Sequence, residues 1–394
     1  MPGPLSGYRI LDLSAVVSGP MAAMLLAEQG AEVIKVEPKR GDVTRMGPFT
    51  RNQLASLYLN LNRGKRSIVL DTSKPRGREI LLEFAKHSDV LLQNFRPGAM
   101  ERLGLGESDV RAVNPDIVYA SISGFGDSGP YKDRRVYDPV IQGLTGAVAV
   151  QLNPEVPIPD LVRHIVADKA TALTTAQAIT AALLARANGQ GGQSIHVPML
   201  DVGLSFFWPD GMMGKTLLGD EIQVPGPTLA QVYALTETAD GHVVYFAATK
   251  DEFIGLLRAL DMFERWSEED WDDVAKRFEY LQELAGAISD AFRGQRSADV
   301  LARLVGEDVP CGPVLSLDEV PQDAQVKHNG VIEEVDHPHA GTMRVCKQAA
   351  RFSKTPSELG RPAPAFGEHT DELLAELGLA PAEIAELRSD SIAL

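Results

Sequence analysis

The chain has 394 residues, 44% of them hydrophobic and 23% charged, which suits a folded protein of about two domains. Its net charge of −16 argues against nucleic acid or anionic membranes as partners, so any anionic ligand must meet local cations. Two cysteines exclude a disulfide framework, and no apolar run approaches the roughly 18 residues of a membrane span. Met1–Ser6 carries neither the charged nor the apolar part of an export signal, so a cytoplasmic location is expected.

In chain order, Tyr8–Ser14 reads as a strand, Ala22–Gln29 as a short helix and Ala31–Glu37 as a second strand. That is a βαβ unit, the opening of many nucleotide-handling folds. A dinucleotide-binding fold would carry G-x-G-x-x-G in the first turn; here it reads Ser14-Ala-Val-Val-Ser-Gly19-Pro20. Strands at Ser67–Asp71, Val90–Asn94 and Asp116–Ser123, with a helix at Arg78–Lys86, continue the alternation. The pattern predicts an α/β fold with a Rossmann-like, doubly wound, mostly parallel sheet. Residues 124–165 read as irregular. A helix from Lys169 to Ala187 ends at Asn188-Gly-Gln-Gly-Gly192, and Ser194–Pro198 is a short strand leading into an apolar helix.

The character changes near Val224-Pro-Gly-Pro227. A hairpin of Val232–Thr236 with His242–Ala248, then helices at 251–261, 276–292 and 297–306, predict a smaller α+β domain over 228–325. The large domain is expected to comprise 1–200, a linker 201–227, and a returning segment 326–394. That segment should hold strands around Ile332 and Met343 and amphipathic helices at Leu373–Leu379 and Ile384–Leu387.

Cations gather in the first third: Lys35, Lys39, Arg40, Arg45, Arg63, Lys65, Arg66, then Arg96, Arg102, Arg134 and Arg135. Many follow strands, where open α/β sheets take their ligands, and as a set they point to a phosphorylated ligand. Gly124-Phe-Gly-Asp-Ser-Gly129 matches G-x-G-x-x-G, but polar Pro130–Arg135 follows where a helix would have to open, so it reads as a glycine loop near a site. Asp336-His-Pro-His339 offers two imidazoles without a third ligand and reads as an exposed loop. No G-x-S-x-G occurs, and Cys311 has no neighbouring base, so it reads as buried and inert. Asp168 stands where the long helix begins. It suits a helix cap, and the same helix end would equally hold an ionised carboxylate able to attack an activated acyl carbon. His164, outside the helix, has no assigned role.

Several short runs recur together in one known family. They are Leu11-Asp-Leu-Ser14 with Gly19-Pro20, Gly30–Glu37 with Gly41-Asp42, and Asn62-Arg-Gly-Lys-Arg-Ser67. Asn94-Phe-Arg-Pro-Gly98 with Leu103-Gly-Leu105, Ser121–Gly126, Tyr137-Asp138 and Phe366-Gly-Glu-His369 complete the set. In order and spacing the chain resembles, over nearly its whole length, the class III CoA-transferases, which include formyl-CoA transferase, carnitine CoA-transferase and α-methylacyl-CoA racemase. The resemblance implies that Asp168 is a covalent nucleophile, passing through aspartyl anhydride and aspartyl-CoA intermediates. It also implies that Val16, Val17, Lys39, Arg40, Asn94, Phe95, Arg102 and Arg135 contact coenzyme A. The substrates would be an acyl-CoA and a small carboxylic acid, with no metal and no tightly bound cofactor, in a homodimer of interlocked ring-like chains.

Two departures bear on the activity. The racemases pair the aspartate with a histidine, and Tyr137 stands at that position, which makes an acyl-CoA racemase the alternative within the family. Formyl-CoA transferase has a glycine run where this chain reads Ala234–Gly241, so oxalate or formyl specificity is not implied. A non-catalytic CoA-ester binding protein is the reading from another class.

Overall fold

The structure, a computed structural model, describes residues 3–151, 159–222, 228, 232–266 and 272–394. The chain divides into two compact units, residues 1–209 with 329–394, and residues 210–328.

The larger unit is built on six parallel strands: β1 (Arg9–Asp12), β2 (Glu32–Glu37), β3 (Lys65–Val69), β4 (Val90–Gln93), β5 (Val118–Ser123) and β6 (Ser194–Pro198). Their order is β3-β2-β1-β4-β5-β6, that of a dinucleotide-binding sheet. The strands bury side chains on both faces because helices cover both. Ile10, Val33, Val90, Leu92 and Val118 turn to one face, where Leu26 of α1 (Ser18–Glu28) and Ile179 and Leu183 of α4 (Val166–Ala185) meet them. Leu11, Ile34, Leu91 and Tyr119, each one residue out of phase, face α2 (Pro75–Lys86) through Ile80, Leu81 and Phe84. Each buried aliphatic side chain contributes roughly 1.5–3 kcal/mol, so the sheet register is firmly set.

The same unit holds α3 (Asp138–Thr145) and α5 (Met199–Gly211). Helix α5 therefore occupies the first part of the segment expected as a linker, while 223–227 lie outside the described residues. Helix α1 starts at Ser18, earlier than the apolar run suggests, because Pro20 is compatible with a first turn. It packs on α4 through alanines of both helices, Ala22, Ala23 and Ala27 against Ala167 and Ala170, and small side chains allow close approach of the axes.

The smaller unit holds an antiparallel sheet of β7 (Thr236–Thr238), β8 (Gly241–Tyr245) and β9 (Cys311–Pro313), ordered β9-β8-β7. Helices α6 (Lys250–Ala259), α7 (Val274–Arg293) and α8 (Ser297–Gly306) share its core, with Val243, Leu256, Phe292 and Leu304 at the centre. The hairpin sits later than expected: around the tight turn at Ala239-Asp240, Thr238, Glu237 and Thr236 pair with Gly241, His242 and Val243, so Thr236 alone of Val232–Thr236 joins the ladder. Strand β8 stops at Tyr245 short of Ala248, whose N–H, with that of Thr249, is drawn to Glu252 in the capping box of α6.

The chain returns as the antiparallel pair β10 (Ile332–His337) and β11 (Gly341–Cys346), then α9 (Thr370–Glu376) and α10 (Pro381–Ser389). Leu373, Leu374, Ile384 and Leu387 seal the α2 face of the large sheet. No helix among the described residues is long and apolar enough to cross a membrane.

Candidate active site

Strand order reverses between β1 and β4, and the crevice beyond their carboxyl ends is where sheets of this kind take ligands. The turn leaving β1 lacks the glycines that usually shape it, and side chains hold its backbone instead. Ser14 N–H donates to Asp12 Oδ1 (3.0 Å), and the Ser14 carbonyl accepts from Lys35 Nζ (3.0 Å). The amide of Asn94, just past β4, accepts from Ala15 N–H (2.9 Å) and donates to the Ala15 carbonyl (2.7 Å), joining the two strand ends. Val16 N–H donates to Asp42 Oδ1 (3.3 Å), and Lys65 Nζ reaches the Pro20 carbonyl (2.8 Å).

These holdfasts are buried charges in pairs, Lys35 with Asp42 at 2.9 Å and Lys65 with Asp12 at 2.8 Å. Burial works against the Lys35 charge, yet Asp12, Asp42 and Glu37 outweigh it and raise its pKa. Burial likewise opposes the Asp42 carboxylate, but Lys35 and the Thr44 donors leave its pKa lowered. Within this frame Val16 takes φ = 72°, a left-handed conformation that a β-branched residue adopts only under constraint. Gly19 is required for a different reason: a Cβ there would lie 2.3 Å from Ser14 Cβ and Oγ, so only glycine lets the helix start this close to the strand end.

The turn delivers Ser18, the first residue of α1, to Asp168. Ser18 Oγ–H donates to Asp168 Oδ1 at 2.6 Å, and both side chains are buried. Asp168 is the third residue of α4 and does not cap it. The cap comes from Asp138, at the start of α3, whose Oδ2 accepts from the N–H groups of Ala167 (2.7 Å) and Asp168 (3.0 Å). This also explains why α4 begins at Val166 rather than at Lys169. Burial raises the Asp168 pKa, the Ser18 hydroxyl and N–H pull it back, and the Asp138 charge adds to the rise. Asp138→Asn keeps an oxygen for the cap but removes the charge. It should therefore move the acid limb of the pH–rate profile to lower pH. Because Asp138 Oδ1 also accepts from Gln142 Nε2, the new amide N–H group faces a donor on one side and the melting temperature should fall.

The other expected residues spread along the same edge of the sheet. Val16 is half-buried and Val17 buried beside Ser18. Phe95 and Arg102 line a cleft of about 470 Å³ with Gln93, Arg96, Lys132 and His196, beyond β4, β5 and β6. Lys39 pairs with Asp71 at 3.1 Å past the ends of β2 and β3, and Arg40 is exposed beside it. Arg135 is exposed, and neighbouring Arg134 lies over the Tyr131 ring.

Part of the cationic set needs correction. Lys35 and Lys65 are committed to the turn, Arg45 to Glu37, Arg63 to Glu28, and Arg66 to Glu32, Glu372 and Glu376. Charges so paired can sit in a strand, which is why β3 starts at Lys65 rather than Ser67. The histidine pair is an exposed loop only in part: Pro338 and His339 are exposed in the turn, but His337 is buried, with Nε2 at 2.8 Å from the Ala363 carbonyl and Nδ1 accepting from His339 and Ala340 N–H. No group of three metal-ligating side chains occurs among the described residues. Cys311 is half-buried, not fully buried, and burial raises its pKa. Gly124–Gly129 forms turns, and no helix opens before Asp138.

The fold and site define a Rossmann-like α/β enzyme in which a carboxylate occupies the helix terminus that other members of the architecture offer to phosphate. The profile of CoA-transferase family III matches residues 5–370, and the chain belongs to that family. It is 34% identical to mouse succinyl-CoA:glutarate CoA-transferase, over 95% of this chain and 86% of that protein. It is 33% identical to formyl-CoA:oxalate CoA-transferase of Bradyrhizobium sp. (strain ORS 278), over 99% and 97%. A CaiB/BaiF family protein from Brucella suis superposes with a TM-score of 0.82 at 29% identity, covering 96% of this chain and 100% of the other. An aspartate-to-alanine variant of a Mycobacterium tuberculosis protein gives 0.83 at 28%, covering 95% and 99%. The protein is an enzyme of CoA transfer.

Proposed function

We propose that CoA moves from an acyl-CoA to a free carboxylic acid through covalent intermediates on Asp168. The observation that carries this reading is a buried carboxylate with one oxygen fixed by Ser18, at the edge of the sheet where ligands bind. The free oxygen attacks the thioester carbonyl, forming an anhydride and releasing CoA thiolate. The thiolate attacks the aspartyl carbonyl, giving aspartyl-CoA and the donor acid. The acceptor carboxylate reverses these steps with its own acyl group. One thioester replaces another, so the exchange needs no ATP, metal or tightly bound cofactor.

Val16, Val17, Asn94, Phe95 and Arg102 would lie along the CoA, with Lys39, Arg40 and Arg135 meeting its phosphates. Phe95 and Arg102 are supported by the cleft they line. The named relatives act on succinyl-CoA with glutarate or on formyl-CoA with oxalate, so small carboxylic acids are the substrate class proposed here. A panel of acyl-CoAs crossed with a panel of free acids tests it: exchange confined to small acids supports the reading, and none with any pair contradicts it. We place the enzyme in the cytoplasm as an interlocked homodimer; a monomeric mass by light scattering would contradict the dimer.

A further inference from the structure

We infer that Ser18 is a second catalytic residue, forming an oxyanion site for the carbonyl of the nucleophile itself. The inference rests on Asp168 being the nucleophile. In the proposed sequence Asp168 is both attacker and target: its Cγ is attacked by CoA thiolate to form aspartyl-CoA, and later by the acceptor carboxylate. Each attack makes Cγ tetrahedral and sends the carbonyl electron pair onto the oxygen that remains attached.

That oxygen is identifiable. Oδ1 faces the Ser18 hydroxyl at 2.6 Å, so the oxygen left to attack the donor thioester is Oδ2. Once Oδ2 bridges to the donor acyl group, Oδ1 is the carbonyl oxygen of the aspartyl half. When thiolate adds, the C–S bond forms and charge collects on Oδ1. When the carbonyl re-forms, the Cγ–Oδ2 bond breaks and the donor acid departs with that oxygen as its carboxylate. The Ser18 hydroxyl already points at the atom where the charge develops. The Ser18 N–H, at the N-terminus of an 11-residue helix, also favours negative charge on the Asp168 carboxyl.

The site is preorganised rather than adaptable. The peptide groups leading to Ser18 are held by Asp12, Lys35, Asn94 and Asp42, and Lys65 holds the Pro20 carbonyl just beyond it. Gly19 locks the helix start against Ser14. A donor fixed this way costs no reorganisation when the charge appears, which is the condition under which an oxyanion donor is most effective.

The test compares Ser18→Ala and Ser18→Thr with the wild type in the intact enzyme. Each is mixed with succinyl-CoA without acceptor, quenched over time, and analysed by intact mass for the CoA adduct and by a thiol reagent for released CoA. Removing one such donor is expected to slow adduct formation by about 10²- to 10³-fold. Initial thiol release should fall much less, and the KM for succinyl-CoA should hardly change. Ser18→Thr retains a hydroxyl and should recover most of the adduct rate. Adduct formation at the wild-type rate in Ser18→Ala overturns the inference. Equal loss in both variants also overturns it, since the hydroxyl would then not be the active group. If the wild type itself forms no adduct while exchanging CoA, the failure lies with Asp168 as nucleophile.

Discussion

Asp168→Ala should lose CoA exchange by about 10⁴-fold or more while remaining folded, the scale seen when a residue of a covalent catalytic unit is removed. The loss should appear in kcat with little effect on CoA affinity, because the carboxylate is not proposed to bind the nucleotide portion. Burial raises its folded pKa, with Asp138 adding to the effect, so ionised Asp168 is a cost to the fold. A group with a raised folded pKa contributes stability at low pH and loses it as pH rises through that folded value. Asp168→Asn should therefore melt no lower than the wild type at neutral pH, and higher if the charge is the main cost. Initial rates and melting curves on one preparation check both halves. Retained exchange, or a large fall in melting temperature, would count against the reading.

Lys35→Met should be the most damaging single change in the scaffold. It leaves Asp42 ionised in a site where both partners are about 0–1% exposed, and it frees the Ser14 carbonyl. Breaking a buried pair from one side costs about 3–5 kcal/mol. The double variant Lys35→Met/Asp42→Asn removes the orphaned charge and should regain part of that loss. The pH dependence has a defined sign. The Asp42 pKa is lowered, so its contribution is present above the ordinary value of 3.8 and fades in acid. The Lys35 pKa is raised, so its contribution is present below the ordinary value of 10.5 and is lost in strong alkali. The difference from wild type should thus shrink in acid and in strong alkali. Near pH 8 it also carries the titration of Lys65, whose pKa burial lowers to about 8 with the Lys35 charge adding to the fall. Urea unfolding midpoints would show both. A shallow loss at neutral pH would mean the pair is not holding the turn.

The sheet was legible because Ile10-Leu11, Val33-Ile34 and Val90-Leu91-Leu92 are short apolar runs separated by helix-length segments. The edges of elements were not, because partners distant in sequence set them: Asp138 starts α4, Glu252 ends β8, and paired Lys65 and Arg66 extend β3. The absence of the G-x-G-x-x-G pattern in the first turn could be read directly, but not what replaces it. Lys35 and Lys65 look like ligand-binding cations in sequence, since nothing local reveals that Asp42 and Asp12 neutralise them. Ser18 was missed for the same reason. Its only signal was its place in Val17-Ser18-Gly19-Pro20 at a helix start, and its partner lies 150 residues away.

The most direct test of the central claim follows an oxygen atom. With an acceptor acid labelled with heavy oxygen in its carboxylate, the second anhydride carries an acceptor oxygen as its bridge. When CoA thiolate takes the new acyl group, that oxygen stays on the aspartate. After turnover and proteolysis, the peptide containing Asp168 should carry heavy oxygen, and no other carboxylate should. Continued exchange with an unlabelled Asp168 would show that the acids exchange CoA without passing through this residue.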